Sequence, residues 1–265
     1  MSMRRHSIHS SKVSYLNPHL EGIIVGSDAN QEWLLPWWWE RYSKHNTYPV
    51  AFFDFGMSEE GLAWCAERGR ICELTSRIFP LKPLSETLKQ CICDPNPSNT
   101  AAIRSAWFKK TLAFLQSPFP FTCWIDLDCE IRGHLGPLFR TLDGGADIGI
   151  VQELEGVEKK SRRAGLLFPD EKSYNTGVVV FRQSAGILEK SAELALKDND
   201  QFLSDQEALS RTIYLYRPQI VEMSPLFNWN ITQGTHPDAL ILHYVSTWKS
   251  AILLQLDVKN NSISN

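Results

Sequence analysis

The sequence of 265 residues contains no apolar run of the roughly 18 residues that a membrane span requires. Its N-terminus, Met1 to Lys12, is polar and basic without the apolar core of a leader peptide, so residues 1–20 read as a mobile arm. Phosphate-cradling glycine loops are missing as well. Neither Gly-x-Gly-x-x-Gly nor Gly-x-x-x-x-Gly-Lys-Ser/Thr follows the first apolar segment, which disfavours a dinucleotide dehydrogenase and a P-loop NTPase. A net charge of -3 gives no global attraction to nucleic acid or to an anionic membrane. The six cysteines (Cys65, Cys72, Cys91, Cys93, Cys123 and Cys129) match no zinc spacing, and Cys91 and Cys93 are too close for a Cys-x-x-Cys knuckle. Reduced thiols in a cytoplasmic protein are the expectation. No internal repeat or low-complexity segment is present.

What remains is an alternation of short β-branched runs with helical segments. Residues 22–26 form an apolar run ending in Ser27-Asp28, and residues 48–53 form a second ending in Asp54. Between them, residues 30–44 carry an apolar helical face with Trp33, Leu34, Trp37, Trp38 and Tyr42; Pro36 either kinks this helix or marks its start. Ser58 suits an N-cap, and residues 70–74 are a third strand. Residues 80–98 read as an irregular crossover because of Pro80, Pro83, Pro95 and Pro97. A helix follows to Leu115, then strands at 121–125, 146–151, 177–181 and 240–243. Helices are expected near 184–197 and 203–214, and residues 154–173 read as a long exposed loop, a lid or acceptor-recognition element. The pattern implies an α/β fold, one Rossmann-like domain over residues 21–250 with a mostly parallel sheet flanked by helices, followed by a tail at 251–265.

The stretch Phe121-Thr122-Cys123-Trp124-Ile125-Asp126-Leu127-Asp128 carries the most chemistry. A buried strand ends abruptly in two carboxylates, which are costly in an apolar layer unless a cation compensates them. At the C-terminal edge of an open α/β sheet, where ligands bind, two hard oxygen donors suit Mg²⁺ or Mn²⁺. Asn175, before Thr176-Gly177, offers both a donor and an acceptor to sugar hydroxyls, and Gly177 permits close backbone approach. Asp205-Gln206 opens a helix, where acids are favoured in any case. His243 ends a strand and is a candidate third metal ligand, and Lys249 is a candidate diphosphate contact.

In order and spacing, Trp124-Ile125-Asp126-Leu127-Asp128, Asn175-Thr176-Gly177, Asp205-Gln206 and His243-Tyr244-Val245-Ser246-Thr247-Trp248-Lys249 resemble the glycosyltransferases of the GT-A fold, closest to family 8, the glycogenin and galactosyltransferase-like group. The resemblance implies that Asp126, Asp128 and His243 bind Mn²⁺ (or Mg²⁺), which holds the diphosphate of a nucleotide-sugar donor, most plausibly a UDP-sugar. It implies that Asn175 and Gly177 contact the donor sugar, that Asp205 and Gln206 flank the reaction centre, and that Lys249 touches the diphosphate. Asp28 and Asp54 become candidates for the nucleoside, and Arg104 is preferred over Lys109 and Lys110 as the donor-facing base of its helix. The implied reaction moves a hexose to an acceptor hydroxyl of a glycan, lipid or protein, with retention. Ser246 stands where the family carries glycine, and the Pro-Trp often found after the lysine is absent. Two rivals differ in kind: a nucleotidyltransferase on a similar scaffold, and a non-catalytic sugar- or partner-binding relative, for which Trp37-Trp38-Trp39 would be the surface.

Overall fold

The computed structural model describes residues 20–76, 78–91 and 97–263; the expected N-terminal arm, Leu20 excepted, lies outside the described residues. Ten strands are present among these residues: β1 (Glu21–Ser27), β2 (Val50–Asp54), β3 (Arg70–Glu73), β4 (Phe121–Ile125), β5 (Cys129–Ile131), β6 (Ile148–Gln152), β7 (Tyr174–Arg182), β8 (Ile220–Glu222), β9 (Trp229–Asn230) and β10 (Ile241–His243). Seven make one sheet in the order β3-β2-β1-β4-β7-β6-β8, and three make a small sheet in the order β5-β10-β9. In the large sheet only β7 runs against its neighbours, pairing antiparallel with both β4 and β6. The mostly parallel α/β sheet expected from the sequence is therefore observed. Strands β5 and β9 of the small sheet, three and two residues long, are too short to leave a periodic signal.

The helices among the described residues are α1 (Leu35–Ser43), α2 (Glu59–Ala66), α3 (Glu86–Cys91), α4 (Pro97–Leu115), α5 (Gly136–Arg140), α6 (Glu155–Arg163), α7 (Gly186–Asp198), α8 (Asp205–Tyr216) and α9 (Lys249–Ile263). The strands are buried on both faces, so alternate side chains enter two separate cores. Ile23, Val25, Cys123, Ile125, Val178 and Val180 pack with Trp37, Trp38 and Tyr42 of α1 and with Ile252 of α9. Ile24, Trp124, Val179 and Phe181 pack with Phe108 and Leu112 of α4, Leu188 of α7 and Leu209 of α8. Each fully buried aliphatic or aromatic side chain contributes roughly 1.5–3 kcal/mol relative to exposure. Trp37 and Trp38 belong to the first core and Trp39 packs against it, so the tryptophan cluster is packing rather than a surface. Pro36 occupies the first turn of α1 and marks its start, where a missing N–H costs nothing.

Two expectations are corrected. The crossover at 80–98 contains α3, and the loop at 154–173 contains α6. No residue of α6 is buried, so no apolar stripe announced it. It is held instead by Lys159–Glu155 and Arg162–Glu158 pairs at i,i+4 spacing. Arg162 also donates to the carbonyls of Phe168, Pro169 and Glu171, while Arg211 clamps the Glu171 carboxylate at 2.7 Å. The segment is a pinned helical excursion. Cys65, Cys72, Cys123 and Cys129 are free and buried, and no helix among the described residues is long and apolar enough to cross a membrane.

Helix α8 starts with a complete capping box between Ser204 and Glu207, and ends on Arg217 in the left-handed region at φ 50°. A side chain there costs roughly 1–2 kcal/mol, partly recovered because glycine loses more backbone entropy on folding. Arg217→Gly is expected to stabilise the protein by about 0.5–1 kcal/mol, read as a higher urea midpoint at unchanged m-value.

Candidate active site

Strand β4 ends at Ile125, and the chain crosses from the large sheet to the small one through Asp126-Leu127-Asp128. Both ends of the crossing are pinned by backbone. The Asp126 N–H donates to the Gly177 carbonyl of β7 at 2.8 Å, and the Asp128 carbonyl accepts from the Tyr244 N–H, just past β10, at 2.9 Å. Because β7 is antiparallel, its first residues lie at the same edge as the last residues of β1, β2 and β4. The pairing of β6 with β7 jumps from Ile150–Val179 to Val151–Asn175 in one step of β6. That irregularity leaves Thr176 and Gly177 out of the β6 ladder, while on the other edge of β7 the Asp126–Gly177 bond extends the β4 pairing by one residue.

His243 is the last residue of β10 and pairs across the small sheet with Cys129. Its Nε2 lies 3.3 Å from Asp128 Oδ1 and 3.9 Å from Asp126 Oδ2. Lys249, at the start of α9, places its ammonium 3.1 Å from Asp128 Oδ2. From the other side Lys110 of α4 lies 2.9 Å from Asp126 Oδ1 and 3.3 Å from Asp205 Oδ2. The Trp124 indole donates to Asp126 Oδ1 at 2.6 Å. Three carboxylates thus face two lysines and one imidazole in a largely buried cluster, where an uncompensated charge costs several kcal/mol.

The titration shifts follow this arrangement. Burial alone would raise the Asp128 carboxyl, but the Lys249 and His243 charges and hydrogen bonds hold it well below the usual range. Burial would likewise lower the His243 imidazole, yet Asp128 and then Asp126 bring it above its ordinary 6.5. Burial raises the Asp205 carboxyl, and the Lys110 charge only partly offsets this. Burial also pushes the Cys129 thiol well up, which keeps it neutral and a poor ligand although it lies in the group that Asp128 and His243 form, with ligand atoms within 4.8 Å of one another. Asp126, the third ligand expected from the sequence beside Asp128 and His243, lies outside that group, with Oδ2 3.9 Å from His243 Nε2.

A second group adjoins this one through hydrogen bonds. Asn175 donates from Nδ2 to Glu153 Oε2 at 2.9 Å, and Gln206 donates from Nε2 to the same oxygen at 3.0 Å. Glu153 at the end of β6, Lys110 and Asn228 were not singled out from the sequence. A buried glutamate just past an apolar strand is a signal that Glu153 did carry.

The remaining expected residues divide. Gly177 is at the site, but its lack of a side chain makes room for His243: a Cβ there would fall on Cε1 and Nδ1 of that ring. Asp28 ends β1's turn and accepts from Asn30 and Gln31 N–H groups at 3.0 and 3.1 Å, at the same sheet edge. Asp54 is buried, with Oδ1 accepting from the Gly56 and Met57 N–H groups, so this oxygen organises a turn. Arg104, the base preferred from the sequence, does not enter the charge cluster. Its guanidinium donates to the carbonyls of Asn199, Phe202 and Leu203, bracing the approach to α8, and Lys110 is the base that enters the charge cluster. Ser246, the departure from glycine, keeps a left-handed backbone at φ 54°.

No family model matches the sequence, and no curated protein does. Solved structures do. The chain is similar to galactosyltransferase LgtC in complex with donor and acceptor sugar analogs, at TM-score 0.60 and 17% identity over 85% of this chain and 87% of that one. It is similar to mouse xyloside xylosyltransferase 1 at TM-score 0.56 and 16% identity, over 84% and 97% of the two chains. It is also similar to the glycosyltransferase GlyE of Streptococcus pneumoniae at TM-score 0.56 and 16% identity, over 86% of this chain and 55% of that one. The chain has the GT-A fold found in these proteins.

Gly177→Ala is expected to displace the His243 ring and weaken Mn²⁺ binding by about tenfold or more, with the far-ultraviolet spectrum unchanged; electron paramagnetic resonance of free Mn²⁺ reads the loss. The His243 shift carries a stability prediction with a definite sign. A folded-state pKa raised above 6.5 stabilises fully below 6.5, and the contribution fades as pH rises through the folded value. In chelator, the melting-temperature advantage of the protein over His243→Asn should therefore shrink from pH 6 upward; an advantage that grows with pH refutes the assignment.

Proposed function

We propose that this protein is a metal-dependent hexosyltransferase, which takes the sugar from a nucleoside diphosphate sugar, a UDP-sugar foremost, and transfers it to an acceptor hydroxyl with retention of configuration. The observation that carries the reading is the convergence of Asp126, Asp128 and His243 at the joint of the two sheets, beside Lys249 and next to the Glu153, Asn175 and Gln206 group.

The reaction breaks the bond between the anomeric carbon and a diphosphate oxygen. It forms one from the same carbon to the acceptor oxygen, which gives up its proton. Negative charge grows on the leaving diphosphate. A divalent cation held by Asp126, Asp128 and His243 would supply the positive charge that opposes it, a contribution of several kcal/mol. Lys249, on the outer oxygen of Asp128, adds a second positive charge at the same place. Lys110 lies between Asp126 and Asp205 and brings one positive charge to both carboxylates. Gln206 uses Nε2 on Glu153, which leaves its carbonyl oxygen for a sugar hydroxyl. Asn175, Glu153 and Gln206 together orient the sugar, and orientation itself supplies much of the rate. Asp28, at the end of β1, is the candidate nucleoside contact.

Incubation with a panel of UDP- and GDP-sugars and Mn²⁺ should give slow hydrolysis of one donor. Asp126→Asn and Asp128→Asn should each lower that turnover by about 10²-fold or more. Turnover that survives both substitutions, or that is unchanged in excess chelator, overturns the reading. Proton NMR of the first product anomer tests retention, and an inverted anomer removes that part alone.

A further inference from the structure

His243 does not meet the carboxylates on its own terms. Its other ring nitrogen, Nδ1, lies 3.0 Å from Asn228 Oδ1. Asn228 in turn donates from Nδ2 to Asn175 Oδ1 at 2.8 Å, and the same Asn175 oxygen accepts from the Gly177 backbone N–H at 3.0 Å. The chain closes on Glu153, which accepts from Asn175 Nδ2 at 2.9 Å.

The direction of every bond in this chain follows from its two ends. A backbone N–H can only donate, so Asn175 must present its oxygen to Gly177. A carboxylate can only accept, so Asn175 must present its nitrogen to Glu153, and both ends select the same amide orientation. Asn175 Oδ1 then needs a donor from Asn228, which turns Asn228 Oδ1 toward His243. That oxygen can only accept, so the hydrogen of the neutral imidazole belongs on Nδ1. Nε2 faces Asp128 and Asp126, and Asp128 Oδ1 at 3.3 Å also only accepts, so Asn228, closer at 3.0 Å, competes with Asp128 for the one hydrogen of the neutral ring and, where it wins, leaves Nε2 with its lone pair. Asn228, Asn175, Glu153 and His243 are only 5–8% exposed, so bulk water does not readily replace a missing link.

We infer that Asn228 is a positioning residue: it places the hydrogen of neutral His243 on Nδ1 and so aims the Nε2 lone pair at the space bounded by Asp126 and Asp128. The inference rests on the reading of His243 as a ligand only for its purpose, since the direction of the chain is set by Gly177 and Glu153. Groups that orient a ligating histidine through its second nitrogen typically change metal affinity by about 10–100-fold. The relay also joins the candidate metal group to Gln206, because Asn175 and Gln206 share Glu153 Oε2.

The test uses full-length protein with ¹⁵N-labelled histidine, treated with chelator and held at a pH where the imidazole is neutral. His243→Asn assigns the signal among the seven histidines. The expected result is the Nδ1–H form at His243, opposite to the Nε2–H form that free histidine favours. In Asn228→Leu the signal should move to the Nε2–H form, bonded to Asp128, and the apparent Mn²⁺ Kd should rise about 10–100-fold. Asn228→Asp, which keeps an oxygen toward Nδ1, should retain the Nδ1–H form. A wild-type His243 in the Nε2–H form overturns the inference whether or not Asn228→Leu folds. So does a folded Asn228→Leu with unchanged tautomer and Mn²⁺ affinity. If the wild type shows the Nδ1–H form, Asn228→Leu shifts it, and neither binds Mn²⁺, the relay stands and the metal-dependent reading of the site falls.

Discussion

Two backbone hydrogen bonds hold this molecule's chemistry in place: Asp126 N–H to the Gly177 carbonyl, and Tyr244 N–H to the Asp128 carbonyl. They fasten the segment by which the chain leaves the large sheet and enters the small one. Everything else at the site depends on that joint, because it forces two carboxylates into a space roofed by β10 and floored by β7. Carboxylates so placed require cations, and three different parts of the chain deliver them: Lys110 from α4, His243 from β10 and Lys249 from α9. Asp128 has two of these groups and Asp126 two, whereas Asp205 is paired with Lys110, so removing Lys110 leaves a buried carboxylate uncompensated.

The antiparallel course of β7 has equal weight. A parallel strand would bring its last residues to this edge. Reversal brings Asn175, Thr176 and Gly177 instead, and the pairing irregularity against β6 leaves Thr176 and Gly177 out of that ladder while Asn175 stays paired with Val151. Gly177 then does two things at once. Its carbonyl holds Asp126, and its bare Cα leaves the room that the imidazole occupies. The amide side chains around it form a buried network in which Asn175, Asn228 and Gln206 each donate to a neighbour, and satisfied buried polar groups specify one arrangement.

Much of this was readable before any coordinates. Alternating β-branched and helical segments give the α/β sheet, Ser58 and Ser204 cap the helices that follow them, and the abrupt change from Trp124-Ile125 to Asp126 marks a strand end. Helix α6 escaped notice because a helix with no buried face has no apolar period. Arg104 was preferred to Lys110 because charge and helical spacing alone do not say which face of α4 meets the sheet edge. Asn228 lies beyond a short 3₁₀ turn between Phe227 and Trp229, where nothing local distinguishes it from a turn asparagine.

The sequence by itself determined where the long strands of the large sheet lie, which of them end in acids, and the order of the groups that carry the resemblance to GT-A glycosyltransferases. These properties are local: periodicity and composition act over a few residues. Only the tertiary structure decided which cation faces which carboxylate, that the space beside Gly177 is taken by the His243 ring, and which nitrogen of His243 points at Asp126 and Asp128. Those are relations between segments far apart in the chain. They exist only once the two sheets are joined and water has been excluded from the joint.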